Sequence, residues 1–267
     1  MAASFYVTLP SDGSMDVYPD NTLSTYMTKL SHPIDMKGEW QVALAEIQYP
    51  HTWMNVREGE NMLVFFMTDE KDEEDGREYE IVKIAAGYYK DIFQIMEALN
   101  EAASLRYPDL FKQHDMFAYS MAAKRVTMVL PPMTVNATTT KTYLMGSLAK
   151  KLGWGVKSAI YGSWIQATHA PNLNDGLESL YVYCDHVQHR LVGGVKVPLL
   201  RIVKAEGEDG AVIDHDIRVP QYIPLARKRF ETIEINIRDH FGEPVPFERG
   251  RVIVTLHFRQ LRSSYFS

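Results

Sequence analysis

Near the C-terminal part of the chain Ile233, Ile235 and Ile237 alternate with Thr232, Glu234, Asn236 and Arg238. A period of two gives an extended segment one apolar and one polar face. Arg251 to Phe258 repeats the pattern, with Val252, Val254, Leu256 and Phe258 on one side and Arg251, Thr255 and His257 on the other. Gly242, Pro244, Pro246 and Gly250 lie between the two runs, which read as neighbouring segments of one antiparallel system. Shorter runs of the same kind occur at Phe5–Leu9, Leu23–Leu30, Trp40–Gln48, Leu63–Thr68, Tyr79–Ile84, Phe117–Ser120 and Arg125–Leu130. Others follow at Trp164–Thr168, Leu180–Cys184, Leu199–Val203 and Asp216–Val219. Short strands separated by turn residues predict a β-sandwich or barrel. The total is about a dozen strands, above the eight of one jelly roll, so some belong to an insertion or an extra edge.

Two helices interrupt the strands. Ile92, Ile95, Met96, Leu99 and Ala103 form a stripe at helical spacing and predict a helix over about Tyr89–Ala103. A shorter helix is predicted over about Tyr143–Leu152, stopped by Gly153. They are too few and too far apart for βαβ repeats, which excludes a doubly wound nucleotide fold. The expected class is therefore all-β, mainly strand with two short helices, in a single chain over 1–267. An insertion or second β subdomain is expected within about 60–175. The run Asp69-Glu70-Lys71-Asp72-Glu73-Glu74-Asp75-Gly76 reads as a solvated hairpin tip, since its spacing does not fit an EF-hand loop.

Composition narrows the function classes. The chain has 267 residues and a formal net charge of −6, which lacks the broad basic footprint of a nucleic-acid coat, so any such contact is local. Cys184 is the single cysteine; no intramolecular disulfide forms, and folding rests on burial. Met1–Val7 has neither a basic nor a long apolar stretch, so no secretory signal is expected, and no apolar run is long enough for a membrane span. Asn136-Ala137-Thr138 matches a glycosylation sequon but reads as a polar loop.

Local chemistry is sparse. Gly153-Trp154-Gly155 and Gly193-Gly194 lack the lysine and spacing of a phosphate loop and read as turns. Cys184, Asp185, His186 and His189 are competent zinc ligands in type. On a strand, however, Cys184 and His186 share a face that His189 does not, and no second ligand pair accompanies them. A thiol nucleophile would need His169 or His257 from a distance. Arg227-Lys228-Arg229 can meet phosphate, yet three charges ahead of a strand suit a solvated edge that discourages edge pairing. Trp40, Trp53, Tyr88, Tyr89, Trp154 and Trp164 lack the interleaved basic residues of a single-strand platform and suit core packing and subunit contact. No catalytic, cofactor-binding or metal residue is assigned.

Several stretches resemble a known family. They are Phe5-Tyr6-Val7-Thr8-Leu9-Pro10-Ser11, Tyr18-Pro19-Asp20-Asn21-Thr22-Leu23 and Gly38-Glu39-Trp40-Gln41-Val42-Ala43-Leu44-Ala45-Glu46-Ile47-Gln48-Tyr49-Pro50. Towards the other end they are Tyr181-Val182-Tyr183-Cys184-Asp185, Pro198-Leu199-Leu200-Arg201-Ile202-Val203, Phe230-Glu231-Thr232-Ile233-Glu234-Ile235, Pro244-Val245-Pro246-Phe247 and Leu256-His257-Phe258-Arg259. The chain resembles, over nearly its whole length, the minor capsid (penton) proteins of Polinton or Maverick elements and the related adintoviruses of animals. The resemblance implies a single jelly roll, with an added domain, that assembles as a homopentamer at icosahedral vertices beside a double jelly-roll major capsid protein. It implies no cofactor and no catalytic residue, and it places the protein in the virion, assembled in the host nucleus or cytoplasm. From a different class, the alternative is a virion-associated attachment or scaffold module that binds a host receptor or nucleic acid.

Overall fold

Strands dominate because β-branched and aromatic residues recur at every second position, and the two long C-terminal runs are its strongest instances. The computed structural model describes residues 3–69, 80–111, 114–129, 140–155, 158–161 and 164–261. In chain order the first elements are β1 (Ser4–Pro10), β2 (Thr25–Asp35), β3 (Trp40–Pro50), β4 (Met62–Asp69), β5 (Glu80–Lys83), α1 (Ile92–Arg106) and α2 (Pro108–Phe111). Then come β6 (Phe117–Ser120), β7 (Arg125–Val129), β8 (Thr140–Met145), α3 (Ser147–Lys151), β9 (Ser158–Tyr161) and β10 (Trp164–Gln166). The last group is β11 (Ser179–Cys184), β12 (Arg190–Val192), β13 (Val195–Val197), β14 (Leu199–Lys204), β15 (Val212–Asp216), β16 (Ile223–Pro224), β17 (Arg229–Arg238) and β18 (Ile253–Gln260).

The chain divides into two compact units, one of residues 1–53 with 176–267 and one of residues 54–175. In the first, one sheet has the order β1-β18-β3-β15, with β16 also on β3, and the other has the order β14-β11-β17-β2. Numbered within this unit, its eight long strands lie 1-8-3-6 and 5-4-7-2, the double Greek-key order of a jelly roll. All of these pairings are antiparallel.

Inward side chains of the two sheets share one core. On β18, Val254 lies opposite Leu9 of β1 and Ile47 of β3, and Phe258 lies opposite Phe5 and Val42. On β17, Ile235 is flanked by Cys184 of β11 and Tyr26 of β2. These rows are buried together with Ile233, Ile237, Val252 and Leu256. A polar link also crosses between sheets: the buried Tyr26 hydroxyl donates to the Leu9 carbonyl at 3.0 Å. Burial without such a partner would leave a phenol with an unmet hydrogen bond.

The second unit has its own core, including Leu63, Ile95, Leu99, Phe117, Met128 and Trp154. Its sheets have the orders β5-β4-β8-β9 and β10-β7-β6. Asp91 caps α1, its Oδ1 accepting from Phe93 N at 3.0 Å and Gln94 N at 3.1 Å, so the helix begins after the expected Tyr89. It passes Ala103 and ends before Pro108, as a proline disfavours helical backbone in the residue ahead of it.

Three expectations from the sequence pattern are corrected by the structure. Residues 143–145, expected to open the second helix, belong to β8, which pairs with β4. Gly146 turns the chain at φ 104°, where a Cβ would lie 2.8 Å from the Met62 carbonyl oxygen, and α3 starts only at Ser147. The strand expected over Asp216–Val219 lies earlier, at Val212–Asp216, and the chain leaves β3 ahead of Pro220. Finally, β17 and β18 occupy opposite sheets, because the Gly- and Pro-bearing segment between them crosses the sandwich instead of closing a hairpin. The tip of the acidic run beyond Asp69 and the sequon at Asn136 lie outside the described residues.

Ile235→Ala, which opens a void between the sheets, is expected to cost about 2–5 kcal/mol in a urea titration. The His51 ring is buried against Trp53, their centres 4.1 Å apart, and burial holds its pKa below the usual histidine value. The unfolded chain, titrating near pH 6.5, then binds more protons than the folded one in that window. Thermal midpoints should be highest above about pH 6.5 and fall on acidification through the lowered folded pKa, and His51→Gln should flatten that slope.

Candidate assembly surfaces

The residues with the most chemical promise in the sequence are separated by the turn that follows β11. Cys184 faces the core, and its burial pushes the thiol pKa up to about 12. His186 is also buried, but its Nε2 lies against the Thr232 carbonyl oxygen and its ring stacks 4.2 Å from that of Phe230. His189 is exposed. Asp185 holds the turn to the next strand, its Oδ1 accepting from Glu234 N at 3.0 Å. Among the described residues no group of three or more His, Cys, Asp and Glu is placed to hold a metal ion.

The distant histidines are engaged elsewhere. His169 follows β10 in the second unit, where its carbonyl packs against Gly153. His257 lies on β18 and faces outward from the sandwich, opposite Tyr6 of β1. Of the basic triplet, Lys228 pairs with Glu39 at 2.8 Å, and Arg229 begins β17 opposite Asp35. Both arrangements suit a solvated strand end.

Outward residues of the jelly roll make two aromatic surfaces. On the β1-β18-β3 face, the rings of Tyr6 and His257 stack at 4.3 Å. The Tyr222 hydroxyl lies 2.7 Å from His257 Nδ1, and the Arg259 guanidinium sits 3.4 Å from the centre of the Tyr222 ring. Burial first, and the charge of Arg259 second, lower the His257 pKa, and the Tyr222 hydroxyl shares a hydrogen bond with its Nδ1. Arg259 is further held by Gln41 Oε1, to which its NH2 group donates at 3.1 Å. Tyr6, on the end strand of its sheet, remains 63% exposed.

The β14-β11-β17-β2 face places Tyr181 opposite Ile202, with Tyr183 one step along β11. A depression of about 390 Å³ opens beside Tyr183, lined also by Asp185, Val197, Pro198, Glu234 and Arg238. Arg238 donates to Asn236 Oδ1 at 3.1 Å and to the Gly242 carbonyl at 2.6 Å, which fixes its direction along this face. The β12–β13 hairpin, closed at Gly193-Gly194, carries Leu191 and Val195 at 70% and 61% exposure. Tyrosine and arginine are among the side chains that carry most binding energy at protein interfaces.

This eight-strand order, joined to a second unit between β3 and β11, is a distinctive architecture. The fold is similar to that of a virus penton protein. The mavirus penton protein, known from its crystal structure, superposes with a TM-score of 0.55 and 10% sequence identity. The match covers 97% of this chain and 100% of that one. No family model matches the chain, and no curated protein matches it in sequence. At this identity the likeness to the mavirus penton protein is one of fold.

The alternation along β1 and β18 assigns Tyr6 and His257 to outward faces. It gives no sign that strands about 250 residues apart lie side by side, or that Tyr222 and Arg259 complete the patch. Because its thiol is buried and its pKa raised, Cys184 should react slowly with a thiol reagent in the native protein. It should react stoichiometrically after denaturation, a contrast that absorbance of the released thiolate measures directly.

Proposed function

We propose that the chain is a virion structural protein, a minor capsid (penton) subunit of a Polinton- or adintovirus-like element. It assembles with copies of itself as a pentamer at icosahedral vertices, beside a double jelly-roll major capsid protein. The observation that carries this reading is the end-to-end correspondence with the mavirus penton protein, which spans the jelly roll and the second unit alike. The outward aromatic faces support it, since ring closure by head-to-tail contact requires two different patches on each subunit. Residues 54–175 are then an added domain carried by the jelly roll. No residue is assigned a catalytic, metal or cofactor role, and the work of the protein lies in its contacts. Its place is the virion, after assembly in the host nucleus or cytoplasm.

Mass photometry of the purified chain tests the reading. A discrete species of five times 30.6 kDa, about 153 kDa, is expected. A strict monomer at high concentration that also fails to join coexpressed major capsid protein would count against it. Salt-sensitive DNA binding without oligomers would favour the attachment or scaffold reading instead. Tyr6→Asp combined with Leu191→Asp should shift the population to monomers while lowering stability by only about 1 kcal/mol, the scale of one lost cross-strand pair, because both side chains are largely exposed.

A further inference from the structure

In the second unit an open groove of about 860 Å³ runs between α1 and β6. Its floor is apolar and buried, made by Met96, Phe111 and Phe117. One wall is the α1 face that carries Phe93, Glu97, Asn100, Glu101 and Ser104; the other is β6 with Tyr119. Among the described residues strand β6 ends its sheet, whose order is β10-β7-β6. One edge of its backbone is therefore turned towards the helix.

Asn100 shows how that edge can be read. Its side-chain amide donates to the Phe117 carbonyl at 2.9 Å, and its Oδ1 accepts from Phe117 N at 2.8 Å. A primary amide thus supplies the paired donor and acceptor that a neighbouring strand would supply. Met116, one position earlier, instead bonds across to Val129 N at 2.7 Å. Backbone direction alternates along a strand, so the N–H and C=O of Tyr119 point to the same side as those of Phe117. They form the next rung of the edge, beyond the reach of Asn100.

Among the described residues, the charges that line the groove are of one sign. Glu97, Glu101 and Asp115 line it and are exposed, and no lysine or arginine lies among the lining residues. Glu97 and Glu101 are four apart on α1, a spacing at which like charges oppose the helix. Nothing in the local helix is gained from that pair. Phe93 is 52% exposed at the mouth, its ring edge-on to Tyr119 at 5.7 Å, and offers an apolar contact beside the carboxylates.

We propose that this groove docks an extended basic segment of a partner protein, which adds as a strand to the free edge of β6 at Tyr119 with its Lys or Arg side chains on Glu97, Glu101 and Asp115. Backbone pairing supplies affinity, and the carboxylates and Phe93 supply selectivity. The inference does not depend on the capsid reading, because every residue it uses belongs to the unit of residues 54–175.

The test uses the full chain and two labelled synthetic octapeptides, one alternating Arg with Phe and one alternating Glu with Phe, read by fluorescence anisotropy. The basic peptide is expected to bind, and to lose at least about tenfold in affinity when salt rises from about 50 to about 500 mM. The double variant Glu97→Gln with Glu101→Gln should weaken binding by about tenfold or more. Tyr119→Pro, which removes the edge N–H at a position where an end strand tolerates proline, should do the same, whereas Tyr119→Phe should bind as the natural chain does. Hydrogen exchange should slow at the amide of residue 119 when the peptide is added. Should Tyr119→Pro fail to fold by circular dichroism, the carboxylate pair and the exchange measurement decide. Equal binding of the acidic peptide, no binding at about 100 μM, or unaltered exchange at residue 119 would overturn the proposal.

Discussion

The jelly roll depends on where its last strand goes. Strand β18 lies between β1 and β3, and its inward row of Val254, Leu256 and Phe258 is wholly buried against the second sheet. Without it, β1 has no neighbour in its sheet, and β3 loses its longest pairing. The Tyr26 hydroxyl bond to Leu9 would then tie the second sheet to a strand with no sheet of its own. Hydrophobic burial supplies the driving force, and the backbone ladder makes that burial specific, since a shift of one residue would turn the apolar row to solvent.

Much of this was legible from alternation. Strands β11, β17 and β18 fall at or near runs that the sequence marks by alternation, because one face of each is buried, while β1, β3, β6, β7 and β14 fall at or near runs rich in apolar and aromatic residues. The pieces that were not legible have physical reasons. The β12 and β13 strands have three residues each, too few to display a period. The 143–145 segment carries Tyr and Leu ahead of Ser-Leu-Ala and can suit either helix or strand until Gly146 and the partner strand β4 decide it. The partition of β17 and β18 between sheets is a property of the whole topology, since both runs have the same pattern and only the chain path distinguishes them.

For the surfaces, the types of residue were visible but their assembly was not. The Tyr6, Tyr222, His257 and Arg259 cluster draws on β1, β18 and the segment before β16, and it exists only once the chain is folded. The reverse holds for Cys184, His186 and His189, which are close in sequence and divided by one turn into core, core and solvent. The residue types there are those of metal ligands, but their spacing reads as a polar strand end, and the structure buries Cys184 and His186 in the core. The outward faces hold aromatic and basic groups that the core does not consume.

The central position of β18 also carries a consequence for synthesis on the ribosome. About two hundred residues separate the end of β3 from the start of β18, an interval of roughly 10–40 s at ordinary elongation rates. The unit of residues 54–175 lies wholly within that interval and has its own core, so it can be complete while the first sheet is still open. Strand β3 lacks a partner in its sheet until β15 emerges, and β1 lacks one until β18 does, the condition under which nascent chains join wrong partners. Correct folding of the first unit therefore depends on how well those two edges are sheltered until the final strand emerges.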